Sequence, residues 1–309
     1  MLGSILALIS AMMFALNTTT LRRGVLSAPV HQAIAITVPL GMPLFFIILL
    51  LFDCFDLILD LSIRSISFFS IAGIVHLVIG RYCNYKSTQL LGATQSGPIT
   101  QLALLISLLL ALTLLNEELN LFLFIGIFLV FGGPIFIFFA RKNNSKTKSG
   151  VIMDYKKGYI WGILCAMAFG SSPFFIKLGL ESGGLKHNIV GGFVAYFAAT
   201  VLVFIIIILT KTKLREIYAI NNQGVKWFIL TGFLGFLSHL FRYMALGVAP
   251  ITVVEPIQRT TIIFRVIFGW ALNRQHEIIN LTILFGVLLS AVGVYFIICL
   301  LYTSDAADE

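Results

Sequence analysis

Apolar runs long enough to cross a bilayer follow one another almost without pause along this 309-residue chain. A transmembrane helix needs ~20 mostly apolar residues. Ten stretches meet that requirement: 3–20, 31–52, 66–84, 93–115, 120–140, 158–180, 189–210, 226–247, 250–272 and 280–301. Only 11% of the residues are charged, against about 25% in a soluble domain. The expectation is an all-α, multi-pass integral membrane protein. The net charge of +8 invites a nucleic-acid partner, but the cations sit in short connections between apolar runs and build no basic face. No nucleic acid is therefore expected.

The connections are short except for 141–157, a basic polar linker that separates residues 1–140 from 158–301. The stretch 53–65, with Asp53, Asp56, Asp60 and Arg64, reads as a short interfacial helix. The two halves repeat each other. Ala11, Met12 and Phe14 fall over Ala166, Met167 and Phe169, and Arg22 and Gly24 over Lys177 and Gly179. Farther on, Tyr85, Thr94, Pro98 and Ile99 fall over Tyr243, Thr252, Pro256 and Ile257, which sets Arg81 over His239 and Asn84 over Arg242. Gly126 and Gly133 then fall over Gly286 and Gly293. No single match is decisive, but the ordered series is. Five spans in each half invert the second half relative to the first. The predicted fold is thus ten transmembrane helices in two five-helix inverted-topology repeats, with a site at their interface near the midplane.

Several other features bound the reading. Cys54, Cys83, Cys165 and Cys299 form no CxxC pair and have no His partner at metal spacing. They read as packing or lipid-facing thiols, so no metal and no cofactor are expected. The N-terminal residues Met1 to Ser4 carry no basic region, and the first apolar run is a span, so no separate signal peptide is expected. Residues 299–309 resemble an in-frame translation of a sequencing adapter; 302–309 are read as a non-native tail and set aside. The loops after odd spans collect Arg22, Arg23, Arg81, Lys86 and the lysines and arginines of 141–157 and 211–226. The positive-inside rule makes those loops cytoplasmic and both termini external.

These features resemble the drug/metabolite transporter superfamily, in its ten-helix EamA-like branch. The resemblance rests on two copies of one pattern. The first is Gly92-Ala93-Thr94-Gln95-Ser96-Gly97-Pro98, then Glu117 and Glu118, then Gly126, Gly132 and Gly133. The second is Gly247-Val248-Ala249-Pro250 with Glu255-Pro256, then His276-Glu277, then Gly286 and Gly293. It covers Leu2 to about Ile298 and is specific to superfamily, not to substrate. The resemblance implies membrane transport, commonly with cytoplasmic termini, so sequence leaves the orientation open. An inner (plasma) membrane of bacterial type is the expected location. The charges of the ninth span are not a general family feature, so no family role transfers to them.

Those charges mark the candidate site. Residues 250–272 hold Glu255, Pro256, Gln258, Arg259 and Arg265 within one bilayer-length run. A charge at the bilayer centre costs at least ~2.5–3.5 kcal/mol and by default faces a bundle interior or a wet cavity. Glu255 and Arg259 stand at i, i+4 in the order that favours a helix ion pair. The pair either only neutralises itself or forms a polar floor for a solute. Gln258, Thr261 and Arg265 share a neighbouring face, although Arg265 is near enough to the helix end to snorkel. In span 8, His239, Arg242 and Tyr243 cluster; span 3 offers His76, Arg81, Asn84 and Tyr85. Gln95 and Gln101 flank Pro98 in span 4, Asn17 lies in span 1 and Ser172 in span 6. Pro98 and Pro256 loosen two helices at matching depth.

The expected activity is secondary transport of a small polar metabolite, amino-acid-like or anionic, by alternating access. Its partners are the solute, membrane lipid and a coupling proton on Glu255 or His239. The chain has no GxxxxGK[ST] loop for ATP. A membrane-embedded lipid-modifying enzyme would need a DxxxD, HxxxxD or HExxH pattern, which the sequence lacks. A non-transporting scaffold would need no inverted repeat. The chain is therefore read as no enzyme.

Overall fold

A computed structural model describes residues 1–116, 121–139, 154–180, 184–210 and 222–276, with isolated positions between 281 and 293. Described residues form helices and no strand. In chain order they are α1 (Leu2–Ser27), α2 (Val30–Leu51), α3 (Ile63–Leu91), α4 (Ala93–Thr100), α5 (Ala103–Leu114), α6 (Leu121–Phe139), α7 (Tyr155–Gly179), α8 (Leu185–Leu209), α9 (Asn222–Val248), α10 (Ile251–Gln258) and α11 (Thr261–Asn273). Among the described residues, six helices (α1, α2, α3, α7, α8 and the Gly224–Val248 part of α9) are long and apolar enough to cross a membrane. Most of the tenth expected span, most of the central linker and the tail lie outside the described residues.

The expected spans 93–115 and 250–272 are each two short helices. α4 stops at Thr100 and α5 starts at Ala103; α10 stops at Gln258 and α11 starts at Thr261. Both breaks fall a few residues after the paired Pro98 and Pro256. A proline lacks the N–H that an uninterrupted helix would use. At each break, tight i→i+3 bonds carry the chain round. They run from Leu102 N to Ile99 O and Leu104 N to Gln101 O, and from Thr260 N to Ile257 O and Ile262 N to Arg259 O. The third span differs in another way: Ile74–Gly80 in its middle is π-helical. Such bulges are rare and often sit at functional sites.

Small residues set the helix spacing, as they do where no hydrophobic effect drives helices together. α1 and α9 cross at Ser10 and Ser238, whose hydroxyls donate to each other's backbone carbonyls at 2.7 and 3.1 Å. α3 meets α8 at Gly73, where a Cβ would lie 2.2 Å from the Ala195 carbonyl oxygen. Gly92, with φ 86°, turns the chain between α3 and α4 in a conformation that side chains resist.

Three expectations are corrected. Arg22, Arg81 and Lys86 are not loop charges but lie inside α1 and α3. Arg22 is fully buried and donates to the carbonyls of Thr88 and Gln89 at 3.0 and 2.7 Å, which satisfies a cation that sequence alone would assign to solvent. Arg265 does not snorkel: it is 2% exposed, with its guanidinium 5.4 Å from the Phe14 ring centre. The stretch 53–65 holds a single 3-10 turn, Asp56–Ile58, and then the start of α3, because Asp53 adopts a left-handed φ of 50°.

Candidate functional site

Glu255 is fully buried in α10. A lone carboxylate there would be prohibitive, so its two oxygens are each taken by a guanidinium. Arg259 Nη2 donates to Oε2 at 2.5 Å and Arg242 Nη2 to Oε1 at 2.7 Å. The i, i+4 pair expected from sequence is therefore half of a triad. Its third member, Arg242, comes from α9, the helix immediately before α10. Arg259 also donates from Nε to the Glu255 carbonyl at 3.2 Å, and Gln101 donates to the Arg259 carbonyl at 3.1 Å. These bonds tie the two helix breaks together, one from each half of the chain.

The π-helical stretch of α3 presents His76 to the triad. Arg242 Nη1 lies 3.0 Å from His76 Nδ1. Arginine has donors only, so the imidazole nitrogen accepts. The His76 ring stacks on Phe169 of α7 at 4.1 Å and meets His239 edge-on at 4.7 Å. Phe169 in turn packs edge-to-face on Phe14 at 5.8 Å. Phe14 and Phe169 are the same position in the two repeats, brought together across the interface.

Beside the triad, between the halves, lies a cavity of about 40 Å³ lined by Gln101, His239, Arg242, Gln258, Arg259 and Arg265, among others. Two of the guanidiniums that line it, those of Arg242 and Arg259, share one carboxylate, and Arg265 lines it as well. The triad itself keeps a surplus of one positive charge. Arg242 Nε is buried and has no hydrogen-bond partner among the described residues. The arrangement can hold an oxyanion: arginines offer paired N–H donors in a plane that matches a carboxylate.

Of the residues singled out in the sequence, Glu255, Gln258, Arg259, His239, Arg242 and Gln101 come together here. Tyr243 points elsewhere, with its ring 6.4 Å from Phe69. Asn17 donates to the Thr231 carbonyl at 2.6 Å in the α1–α9 contact. Gln95 and Ser172 are buried but do not line the cavity. A further buried cation, Arg81, donates to the Thr37 carbonyl at 3.2 Å and to the Tyr196 hydroxyl at 2.9 Å, on the far side of His239. Phe14, Phe169 and Ser238 were missed as cavity residues. The repeat register was the available signal, since it already paired the two phenylalanines. Among the described residues, no three His, Cys, Asp or Glu side chains gather as a metal set.

Comparison with known proteins agrees with this architecture. No curated protein matches the chain. One solved structure, titled only "Crystal structure of protein", superposes with a TM-score of 0.61 over 94% of this chain and 94% of that one, at 15% identity. At that identity it speaks for the fold alone. The sequence profile of the EamA-like transporter family matches residues 1–139 and again 156–299, once for each half. With both repeats matched, and the helices of both halves meeting around one charged cavity, the chain belongs to the EamA-like transporter family.

Proposed function

We propose that this protein is a secondary transporter that moves a small carboxylate-bearing metabolite, amino acids included, by alternating access. The observation that carries this is the surplus of guanidiniums at the meeting point of the two repeats. A cationic solute would meet net repulsion there, whereas a carboxylate finds bidentate donors. Glu255 already fills the position of such a group, bridged between Arg242 and Arg259. A solute carboxylate competes with it for the same donors.

The cavity of about 40 Å³ has room for only a few water molecules, at ~10–15 Å³ of such space for each. A metabolite is larger than that, so loading requires the site to widen. The two helix breaks supply the joints, because tight turns at matching depth let half-helices swing without unmaking whole spans. A proton on Glu255 cancels the charge that holds Arg242 and Arg259, freeing both for the solute. Proton coupling through Glu255 follows from that exchange. We place the protein in an inner (plasma) membrane of bacterial type.

The test is a thermal-unfolding screen of the purified full chain against amino acids, mono- and dicarboxylates and alkylammonium ions, followed by liposome flux for each hit. A ligand at ~100 times its Kd adds about 2.7 kcal/mol of stability. Carboxylates are expected to stabilise and to be carried. Stabilisation by alkylammonium ions with none by carboxylates would overturn the proposal.

A further inference from the structure

A second cavity lies on the outside of the bundle. It is an apolar groove of about 920 Å³ between α2, α3, α7 and α8, lined by residues such as Ile34, Val78, Leu164 and Ile206. The groove runs toward one membrane face. α2 and α8 pack antiparallel, with Gly41 against Tyr196 and Gly192 against Phe45, so the start of α2 lies beside the end of α8. His31 and Thr210, at those two ends, line the mouth. The end of α3 and the start of α7 reach the same face, joined by the Ser87 hydroxyl donating to the Gly158 carbonyl at 3.0 Å. Tyr82 and Trp161 line the groove just below them. Lys86 stands over the Tyr82 ring at 6.0 Å, and Lys156 and Lys157 are exposed one to two residues into α7, Lys157 also lying 3.4 Å from the Asp154 carboxylate. Aromatic rings beneath exposed lysines are what a headgroup region selects.

We propose that the groove is a binding site for an anionic phospholipid, with an acyl chain inside and the phosphate at the lysines. The chain gains no hydrophobic energy by leaving the bilayer for the groove, because lipid tails are as apolar as the lining. Selectivity therefore resides in the headgroup, where each nearby Lys or Arg is worth about fivefold in affinity. The site has a consequence for the polar cavity. Val75, Val78 and Ile79 of the π-helical stretch line the groove, while His76 of the same turn faces Arg242. Likewise Ala168 lines the groove and Phe169 the cavity. The acyl chain thus backs the wall that holds His76 in place.

The full chain in zwitterionic phosphatidylcholine nanodiscs would be doped with phosphatidylglycerol carrying a photoactivatable diazirine on one acyl chain. Crosslinked peptides would be mapped by mass spectrometry, and competition with unlabelled lipid would give relative affinity. Crosslinks are expected to concentrate on 75–83 and 161–171, with phosphatidylglycerol preferred over phosphatidylcholine by tenfold or more. Lys86→Gln combined with Lys156→Gln and Lys157→Gln should bring that preference to near unity with unfolding temperature in detergent unchanged. The lipid proposal is overturned by crosslinks spread evenly round the perimeter of the wild-type protein. It is equally overturned by a preference that the triple substitution leaves intact. The wild-type map needs no variant to fold and no transported solute to be known.

Discussion

Replacing Glu255 by Gln keeps the side chain's shape and removes its charge. Arg242 and Arg259 then face each other across an amide, with side chains only 7% and 12% exposed. The amide oxygen still accepts one hydrogen bond, but its NH₂ group opposes the other guanidinium. Breaking a buried ion pair by removing one partner costs about 3–5 kcal/mol. For a domain of a few hundred residues, each kcal/mol moves the unfolding temperature by ~2–4 °C. The variant should therefore unfold roughly 6–20 °C below wild type. Thermal unfolding of the purified full chain in detergent reads this directly. Arg259→Gln alone should also destabilise, because it strips one carboxylate oxygen. The double variant should lose less than the two single losses added, by ~1–3 kcal/mol, since the groups share one network. A Glu255→Gln protein within ~0.5 kcal/mol of wild type, the range typical of surface substitutions, would show a solvated carboxylate and refute the buried triad.

Other consequences are measurable. Glu255→Ala leaves a carboxylate-sized gap between two guanidiniums, so formate should raise its unfolding temperature in a saturable way and at lower concentration than it does for wild type. Equal response in both would refute an anion seat at that position. Tyr196→Phe removes the phenol that accepts from Arg81 at 2.9 Å; an unsatisfied buried donor costs about 1–3 kcal/mol, seen as an equal loss in unfolding free energy. Gly73→Ala drives a methyl into the backbone of Ala195; overpacking of about 1–3 kcal/mol is expected, and unchanged stability would show that α3 and α8 are not in close contact. Arg259→Gln should abolish flux of any carboxylate hit while expression persists, and unchanged flux would remove Arg259 from the site.

The candidate site was readable in part because membrane segments punish polar residues. Glu255, Arg259, Gln258 and Arg242 stood out as costs that an apolar helix has no reason to bear; Arg242, Gln258 and Arg259 line one cavity, and Glu255 sits behind the two arginines. His76 stood out less. A single histidine among apolar residues has many packing explanations, and the π-helical stretch that turns it toward Arg242 leaves no mark in composition. Tyr243 is one residue from Arg242 and four from His239, both of which line the cavity. Helical proximity does not fix direction, and its ring turns to Phe69. Arg22 and Arg81 misled because charge suggested solvent, whereas backbone carbonyls and a phenol take the place of water inside the bundle.

Sequence alone determined the all-helical membrane class, the two-half organisation and the places where the two central helices break. Each follows from a local rule: bilayer length, repeat register and the proline's missing N–H. Tertiary structure alone decided which cations share the carboxylate. Arg242 reaches Glu255 only because α9 crosses α1 at the serine pair and is set down beside α10. Partner choice inside a bundle depends on how helices cross and rotate, which small-residue contacts settle after every helix has formed.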